Sequence, residues 1–554
     1  MIRHKPSTAL ATHEVTNQPT EFADVNLYAT DLALRDAVRR EAGDWLDARA
    51  LALGEAVGSD EVLGWGEEAN RHPPELVNFD RYGRRVDEAR FHPSYHALMR
   101  LAMDHGIHDV AWSGNRPGSP RPGGHIAHAA LLALFTQAEA GVMCPINMTY
   151  AAVPALRAQP DVTAPWIAKL VGGRYDAKLR PIADKTGITL GMAMTEKQGG
   201  SDVRANTTRA YPLGGRDFRL VGHKWFCSAP MSDGFLTLAY TENGLSCFLA
   251  PRIRPDGERN AIHVMRLKDK LGNKSNASSE IEYHDAYATL LGEEGQGVKV
   301  IIDMVHHTRL GTIAGTLGIM RMALAQAVHH TAGRRVFQKT LLDQPAMEAV
   351  IADLAIEYEA AVVLVMRVAR AFDGTDPQQR AFARLAVAIA KFWLTKRCPG
   401  FVFECMESHG GAGYVEETPM PRLFRESPLN AIWEGSGNVI ALDVLRTLRR
   451  EEAARDAFAA EIAPSLGANA ALDAAWRALA PRLAAAAAPE AEARRLAEDM
   501  ALLLQGALLL RLAPAPVADA FCATRLGGEG GRSYGVLPAA ADKAGIVARQ
   551  RDGI

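Results

Sequence analysis

The sequence predicts an α+β protein in which an N-terminal helical domain, a small antiparallel β-domain, a helical bundle and an appended helical domain follow one another. Two changes of period and one of composition carry that prediction. Apolar residues at helical spacing give way near Ile188 to short apolar or alternating runs punctuated by Gly, Asn, Asp and Pro, and long helical patterns return at Gly297. Beyond Arg450 the chain turns alanine-rich. The boundaries read as 1–187, 188–291, 292–449 and 450–554.

In the first region Leu34, Val38, Ala42, Trp45, Leu46, Ala50 and Leu53 predict one amphipathic helix over 30–53. Residues 1–23 lack periodicity and are expected to reach across a neighbouring surface or to be loosely held. The stretch 70–96 is richer in Pro, Arg and His, and helical spacing resumes at 95–103, 125–140 and, around Pro154, at 149–156. Strands are expected at 188–194, 218–225, 235–240, 245–250, 262–267 and 281–291. Helices follow at 297–330, 345–372, 377–408 and 439–449, the second and third with broad apolar faces suited to a bundle. In the tail, 489–512 has high helix propensity but a small-residue face expected to pack thinly.

With 554 residues and 48% hydrophobic content the chain can build several cores. A net charge of −2 gives no whole-chain case for nucleic acid or an anionic membrane, so such a partner needs a local patch. Candidates for one are Arg81, Arg84, Arg85, Arg449 and Arg450, whereas the tail carries nearly balanced charge. The six cysteines are scattered without a Cys-x-x-Cys pair, which points to reduced thiols, no zinc site and a cytoplasmic location. Arg3, His4 and Lys5 are followed by no apolar run, so they do not read as a secretory signal. The longest apolar stretches, 129–135 and 500–510, are too short or too interrupted to span a bilayer.

The stretch Ala431-Ile432-Trp433-Glu434-Gly435-Ser436-Gly437-Asn438 sets one carboxylate between a large ring and two glycines, before an apolar run. Glu434 reads either as a base held where main-chain amides can approach a ligand, or as a surface glutamate in a helix-cap turn. Met194-Thr195-Glu196-Lys197-Gln198-Gly199-Gly200-Ser201-Asp202 closes the first strand with hydroxyls and glycine amides able to bond a polar planar ligand, or else forms a polar turn. Lys224-Trp225-Phe226-Cys227-Ser228 offers an aromatic wall with a nearby hydroxyl, or a tryptophan in a core. There is no Gly-x-Gly-x-x-Gly after a strand and no Gly-x-x-x-x-Gly-Lys. His92 and His96 are separated by Pro93 and lack a following glutamate, and the pairs His306-His307 and His329-His330 point in different directions on a helix, so no metal site is predicted.

In order and spacing these pieces resemble the acyl-CoA dehydrogenase family from about residue 125 to 448. Lys270-Leu271-Gly272, Leu291-Gly292-Glu293, the segment from Arg334 to Leu342 with Phe337, then Gln344, and Gly410 to Tyr414 extend the match. Asn17-Gln18-Pro19, Phe91-His92-Pro93, Cys144-Pro145, residues 266–276, Trp433 in place of the usual tyrosine, and the additional C-terminal domain are similar to the AidB branch, the alkylation-response flavoproteins of bacteria.

The resemblance implies a helical domain, a β-domain and a C-terminal four-helix bundle, with FAD between the last two, in a homotetramer. It implies that Met194, Thr195, Gly200 and Ser201 line the isoalloxazine and the adjoining substrate channel, and that Trp225 and Ser228 cover the flavin N5 side. Arg334, Phe337 and Gln344, with Gly410 and Gly411, would reach the pyrophosphate and adenine in the adjoining subunit, and Ser436 and Asn438 would complete the cofactor site. Glu434 would be the catalytic base that removes the α-proton of an acyl-CoA, because the other position used in the family, on the preceding long helix, reads Thr308-Arg309 here. Arg309 would contact CoA or serve as a bundle ion-pair partner. Trp433, bulkier than tyrosine, is expected to shrink the acyl pocket, favouring a short or branched chain or leaving little productive space, and Gln338 stands where a glycine is common. The branch also implies a competing function, binding of double-stranded DNA with little dehydrogenase activity, and the fold alone is compatible with an oligomeric scaffold.

Overall fold

The structure, a computed structural model, describes residues 6–113, 123–485, 488–552 and 554. Arg3, His4 and Lys5, and the middle of the alanine run at 484–488, lie outside them. The N-terminal region comprises α1 (Leu32–Glu41), α2 (Asp44–Val57), α3 (Asp60–Arg71), a hairpin of β1 (Glu75–Phe79) and β2 (Arg85–Arg90), then α4 (Pro93–Asp104), α5 (Val110–Ser113), α6 (Gly124–Ala138), α7 (Met143–Leu156) and α8 (Pro160–Leu170). The sheet domain holds β3 (Leu190–Ala193), β4 (Arg209–Gly214), β5 (Asp217–Ser228), β6 (Gly234–Thr241), β7 (Gly244–Pro251), β8 (Ile262–Leu267) and β9 (Ser278–Leu291). The long helix α9 (Gly297–Gly333) and a small hairpin, β10 (Arg335–Val336) with β11 (Lys339–Thr340), lead to α10 (Pro345–Asp373), α11 (Pro377–Glu407), α12 (Met420–Glu426) and α13 (Gly437–Arg450). The tail adds α14 (Glu452–Ile462), α15 (Ala470–Ala485), α16 (Ala493–Leu512), α17 (Ala515–Phe521) and α18 (Lys543–Arg551).

The predicted helix at 30–53 is two helices, because the chain turns at Gly43, whose φ of 78° is a left-handed conformation that favours glycine. Inside the helical region the Pro- and Arg-rich stretch forms the β1–β2 hairpin, which alternation too weak to read did not announce. The N-terminal segment lies along its own chain. Asn17 exchanges side-chain hydrogen bonds with the Arg335 backbone at 2.6 and 2.8 Å, and Phe22 packs on His329.

The sheet runs β3-β6-β4-β5-β9-β7, with β6 also pairing β7 and β8 pairing β9. Most pairs are antiparallel, but β3 runs parallel to β6, Leu190 opposite Gly234, and β4 meets β6 in parallel at Arg209–Tyr240. The domain is therefore mixed rather than purely antiparallel. The reason is local: residues 194–208 form a long loop instead of a tight turn, so β3 cannot fold back on the strand that follows it.

One continuous core joins α1, α2 and α6 to α9, α10, α11 and α13 and reaches into the tail. The tail does not pack thinly. Leu496, Met500, Leu503, Leu504, Leu508 and Leu509 of α16 are buried, and Ile546 and Val547 of α18 join them. At the far end Arg321 of α9 donates to Thr30 O at 2.6 Å and to Gln550 at 3.0 Å, while Arg549 bridges Asp36 at 2.6 Å and Glu359 at 3.0 Å. A second core seats α7 and the start of α9 on β3, β6 and β7, and this seam positions the site.

Candidate active site

Glu434 lies between the end of the 3-10 turn at Leu429–Ala431 and the start of α13, with φ at 56° and Gly435 at 97°. Two successive left-handed residues turn the chain sharply and direct the carboxylate at α9. There Thr308 Oγ1 donates to Glu434 Oε2 at 2.6 Å. Burial pushes the Glu434 carboxyl above its ordinary range, with the Thr308 hydroxyl, Lys391 and Arg309 pulling the other way. The surface-glutamate reading is therefore not the observed geometry.

Two cations hold the loop from behind. Lys391 of α11, 1% exposed, donates to Trp433 O at 2.8 Å and to Gly435 O, the carbonyls on either side of Glu434. Burial pushes its ammonium down to about 7, against the attraction of Glu434. Arg309 reaches Glu434 O at 3.4 Å and pairs with Asp443 at 2.8 Å, and Arg384 pairs with the same carboxylate at 2.8 Å. Against burial, the two guanidiniums hold Asp443 at about 2. Of the two roles foreseen for Arg309, the structure displays the ion-pair partner, 5% exposed. Trp433 donates its indole N–H to Asn430 Oδ1 at 2.8 Å and packs against the seam between bundle and sheet, as does Met194.

The loop after β3 is fixed by a fully buried ion pair, Lys224–Glu196 at 2.9 Å, with Thr207 and Thr208 donating to the same carboxylate. Gly200 leaves room for Thr195, since a Cβ there would come within 2.3 Å of Thr195 Oγ1 and the threonine side chain would have to move. Thr195 O accepts from Trp225 N at 2.7 Å, which ties the loop to β5. Trp225 is not a core residue. Its ring is half-buried with Lys268 Nζ 3.1 Å from its centroid. Ser228 stands beside Cys144, whose buried thiol is pushed up to about 12 and also feels Glu434. Met194, Thr195, Gly200, Trp225, Ser228, Trp433 and Glu434 thus belong to one neighbourhood, and Ser201 is exposed at its edge.

The remaining predicted residues form a second group. Arg334 donates to Asn17 O at 3.2 Å and has no carboxylate within 4 Å among the described residues. Phe337, at the turn of β10–β11, is 94% exposed with φ 47°, and Gln338 follows at φ 72°, the conformation a glycine would take there without strain. Gln344 braces the hairpin through Val336 O at 2.9 Å. The His330 and His409 rings lie 4.6 Å apart, tilted by 34°, which brings the end of α9 next to the Gly410–Gly411 turn, where a Cβ on either glycine would meet nothing within 4 Å. Ser436 caps α13 by position, and Asn438 accepts from Arg494 of α16 at 3.0 Å.

Lys391 escaped sequence reasoning, although a single cation in the apolar run from Leu385 to Leu394 is a signal that could have found it. Of the histidines weighed as ligands, His307 lies against Trp112 and Phe372, His92 stacks on His72, and His96 bonds Tyr175. Among the described residues no group of three or more His, Cys, Asp or Glu could hold a metal ion.

A desolvated carboxylate at the seam of a small sheet and a helical bundle, beside hydroxyl donors and an indole on the sheet, defines a protein of the acyl-CoA dehydrogenase class. Residues 191–286 match that family's middle domain and 295–448 its C-terminal domain, while 17–177 match the N-terminal domain of the adaptive response protein AidB. The chain is 44% identical to AidB of Escherichia coli (strain K12) over 94% of its own length and 95% of that protein. It is 31% identical to acyl-CoA dehydrogenase family member 11 of Caenorhabditis elegans over 74% of this chain and 68% of that one. The crystal structure of Caenorhabditis elegans ACDH-11 in complex with C11-CoA superposes with a TM-score of 0.84 at 27% identity, covering 94% and 95% of the two chains. The chain belongs to the acyl-CoA dehydrogenase family, in its AidB branch.

FAD is the cofactor of that family. The donor set here suits it: hydroxyls at Thr195 and Ser228, an indole wall, a guanidinium at Arg334 with no carboxylate partner among the described residues, and side-chain-free backbone at Gly410 and Gly411. No helix among the described residues is long and apolar enough to cross a membrane.

Proposed function

We propose that the protein is an FAD-dependent acyl-CoA dehydrogenase in which Glu434 removes the α-proton of a short or branched acyl-CoA. The observation that carries this reading is the Glu434 carboxylate itself, raised by burial, aimed by Thr308 and clamped through its flanking carbonyls by Lys391. A carboxylate removes a weakly acidic C–H proton more readily as its basicity approaches that of the substrate, and desolvation raises that basicity. Bound FAD supplies the hydride acceptor. Met194, Thr195, Gly200, Ser201, Trp225 and Ser228 orient the ring system, while Arg334, Phe337, Gln344, Gly410 and Gly411 serve the dinucleotide arm of a neighbouring subunit in a homotetramer, and Ser436 and Asn438 close the site. Trp433 keeps the acyl pocket small. The cytoplasm is the compartment that six buried, free cysteines suit. The test is dye-linked oxidation of a panel of acyl-CoA thioesters, isovaleryl-CoA first. A flavin-loaded protein that oxidises none of them, and exchanges no α-proton with solvent, would sink the reading.

A second reading, binding of double-stranded DNA with little dehydrogenase activity, is favoured by the β1–β2 hairpin. There Arg81 and Arg84 lie within 5.9 and 5.2 Å of the Tyr82 ring and Arg85 within 5.5 Å of Phe79, both rings exposed. Arg84 and Arg85 also pair with Asp80 and Asp87 at 2.7 and 2.8 Å, and in the tail Arg482, Arg511, Arg525 and Arg549 are engaged with carboxylates, so the reading rests on the exposed rings and Arg81 of the hairpin. A gel shift at about 0.1 M ionic strength, where exposed charges are screened beyond roughly 10 Å, decides. Loss of all binding there removes the second reading.

A further inference from the structure

A cavity of about 760 Å³ lies between the β1–β2 hairpin, α4, the segment around Tyr175 and the sheet domain, and none of the Glu434 neighbourhood lines it. One wall is aromatic. Phe91 and Tyr95 stack at 4.0 Å and 14°, and Tyr175 shares a 2.8 Å hydrogen bond with His96. Burial keeps His96 below its ordinary range, so its ring adds no charge there, while Glu88, Arg90, Asp176 and Lys178 also line the cavity.

The opposite wall holds two guanidiniums, Arg252 and Arg259. Arg252 is 4% exposed, and its Nη1 donates to Pro230 O and to Met231 Sδ at 3.6 Å; Arg259 is half-buried and donates to Asp87 O at 3.2 Å. Neither has a carboxylate within 4 Å among the described residues. The nearby acids are taken: Asp233 pairs with Lys185 at 2.7 Å, Asp87 with Arg85 at 2.8 Å, Asp176 with Arg180 and Glu88 with Arg90. Burial, and then repulsion from Arg259, depress Arg252 to about 10. Asp233 and Asp87 attract Arg252, and Asp87 and Glu88 attract Arg259, but each of these acids is paired with another cation, so two like charges share one void and an anion placed between them would relieve their repulsion. The size is that of a small-molecule site.

We propose that this cavity is a second ligand site, separate from the Glu434 cleft, for a small aryl carboxylate whose anion lies between Arg252 and Arg259 and whose ring lies along Phe91, Tyr95 and Tyr175. A bidentate guanidinium–carboxylate contact fixes the anion, and the stacked rings with Met99 and Met231 supply the apolar contact. The inference stands apart from the assignment of Glu434 as base.

Calorimetric titration of the purified holoprotein with phenylacetate, phenylacetamide, acetate and inorganic phosphate tests it, with melting temperature as a second readout. Phenylacetate should bind saturably, one per chain, and the amide, acetate and phosphate at least about tenfold more weakly, the scale of one lost charge-assisted hydrogen bond. Arg259→Gln should weaken phenylacetate by a similar factor while Glu434→Gln leaves it unchanged. Arg252→Gln should do the same as Arg259→Gln, and if it fails to fold the Arg259 variant carries the test alone. Absence of saturable phenylacetate binding overturns the proposal, as does phosphate or acetate binding equally well, or binding lost in Glu434→Gln but kept in Arg259→Gln.

Discussion

The Glu434 loop and the Arg334–Gln344 hairpin, both proposed to serve the flavin site, are built in opposite ways. Around Glu434 every neighbour is committed: a hydroxyl, an ammonium and a guanidinium act on one short turn, and a second arginine holds Asp443 in place. The hairpin has an almost fully exposed phenylalanine at its tip and an arginine without a counter-charge. Proton chemistry needs a carboxylate held to within a fraction of an ångström, and one chain provides that by itself. Holding the long arm of a dinucleotide needs surface, and surface can be completed by another molecule.

The sharpest way to break this contrast is Glu434→Gln, which should lower dye-linked oxidation by about 10³-fold, within the range for losing a general base, with the 450 nm flavin band intact. An unchanged rate would remove Glu434 as the base. On the other side, replacing Arg334 and Phe337 together by alanine should weaken FAD retention by about 10–100-fold, read as flavin left after dialysis, without changing α-proton exchange in protein resupplied with FAD. If proton exchange fell and flavin stayed, the two roles would be reversed.

A finer test lies in pH. The raised carboxyl of Glu434 must be ionised to act, so the rate climbs as pH rises through its value. The Lys391 clamp is strongest as an ammonium and is lost as pH rises through about 7, which sets a falling limb. Arg309 and Lys396 also face Lys391 and both lower its value. Lys391→Met should cost about tenfold in rate and abolish the falling limb, whereas Lys391→Arg should restore part of the rate and move that limb upward. For folding the sign differs: a lysine depressed in the native state loses its proton there first, so its penalty on stability is full below about 7 and fades as pH rises towards its unfolded value. The smallest effect is expected at Gln338→Gly, which relieves a left-handed residue and should change stability by no more than about 1 kcal/mol, seen as a small shift in melting temperature.

Much of this was legible in the chain. The strand from Ile262 to Leu267 and the long bundle helices follow their periods, and the division of the expected flavin residues into a ring-lining group and a group around Arg334 came from the family resemblance. What escaped did so for physical reasons. β4 has an exposed, proline-containing pattern, Arg209 to Gly214, that alternation cannot reveal. The parallel run of β3 depends on a loop whose shape is set by a buried ion pair distant in sequence, Glu196 with Lys224. The solid packing of α16 is a matter of leucines spaced among alanines, and composition hid them. Lys391 looks like an interruption of an apolar helix until the carbonyls it serves come into view.

The meeting of Arg549 with Asp36 and Glu359 has a practical bearing. The last helix thus meets three others: Arg549 reaches α1 at Asp36 and α10 at Glu359, and Gln550 meets Arg321 of α9. Removing that one helix would strip Ile546 and Val547 from the core and leave Glu359 without its guanidinium, so a truncation there costs buried packing as well as charge pairs.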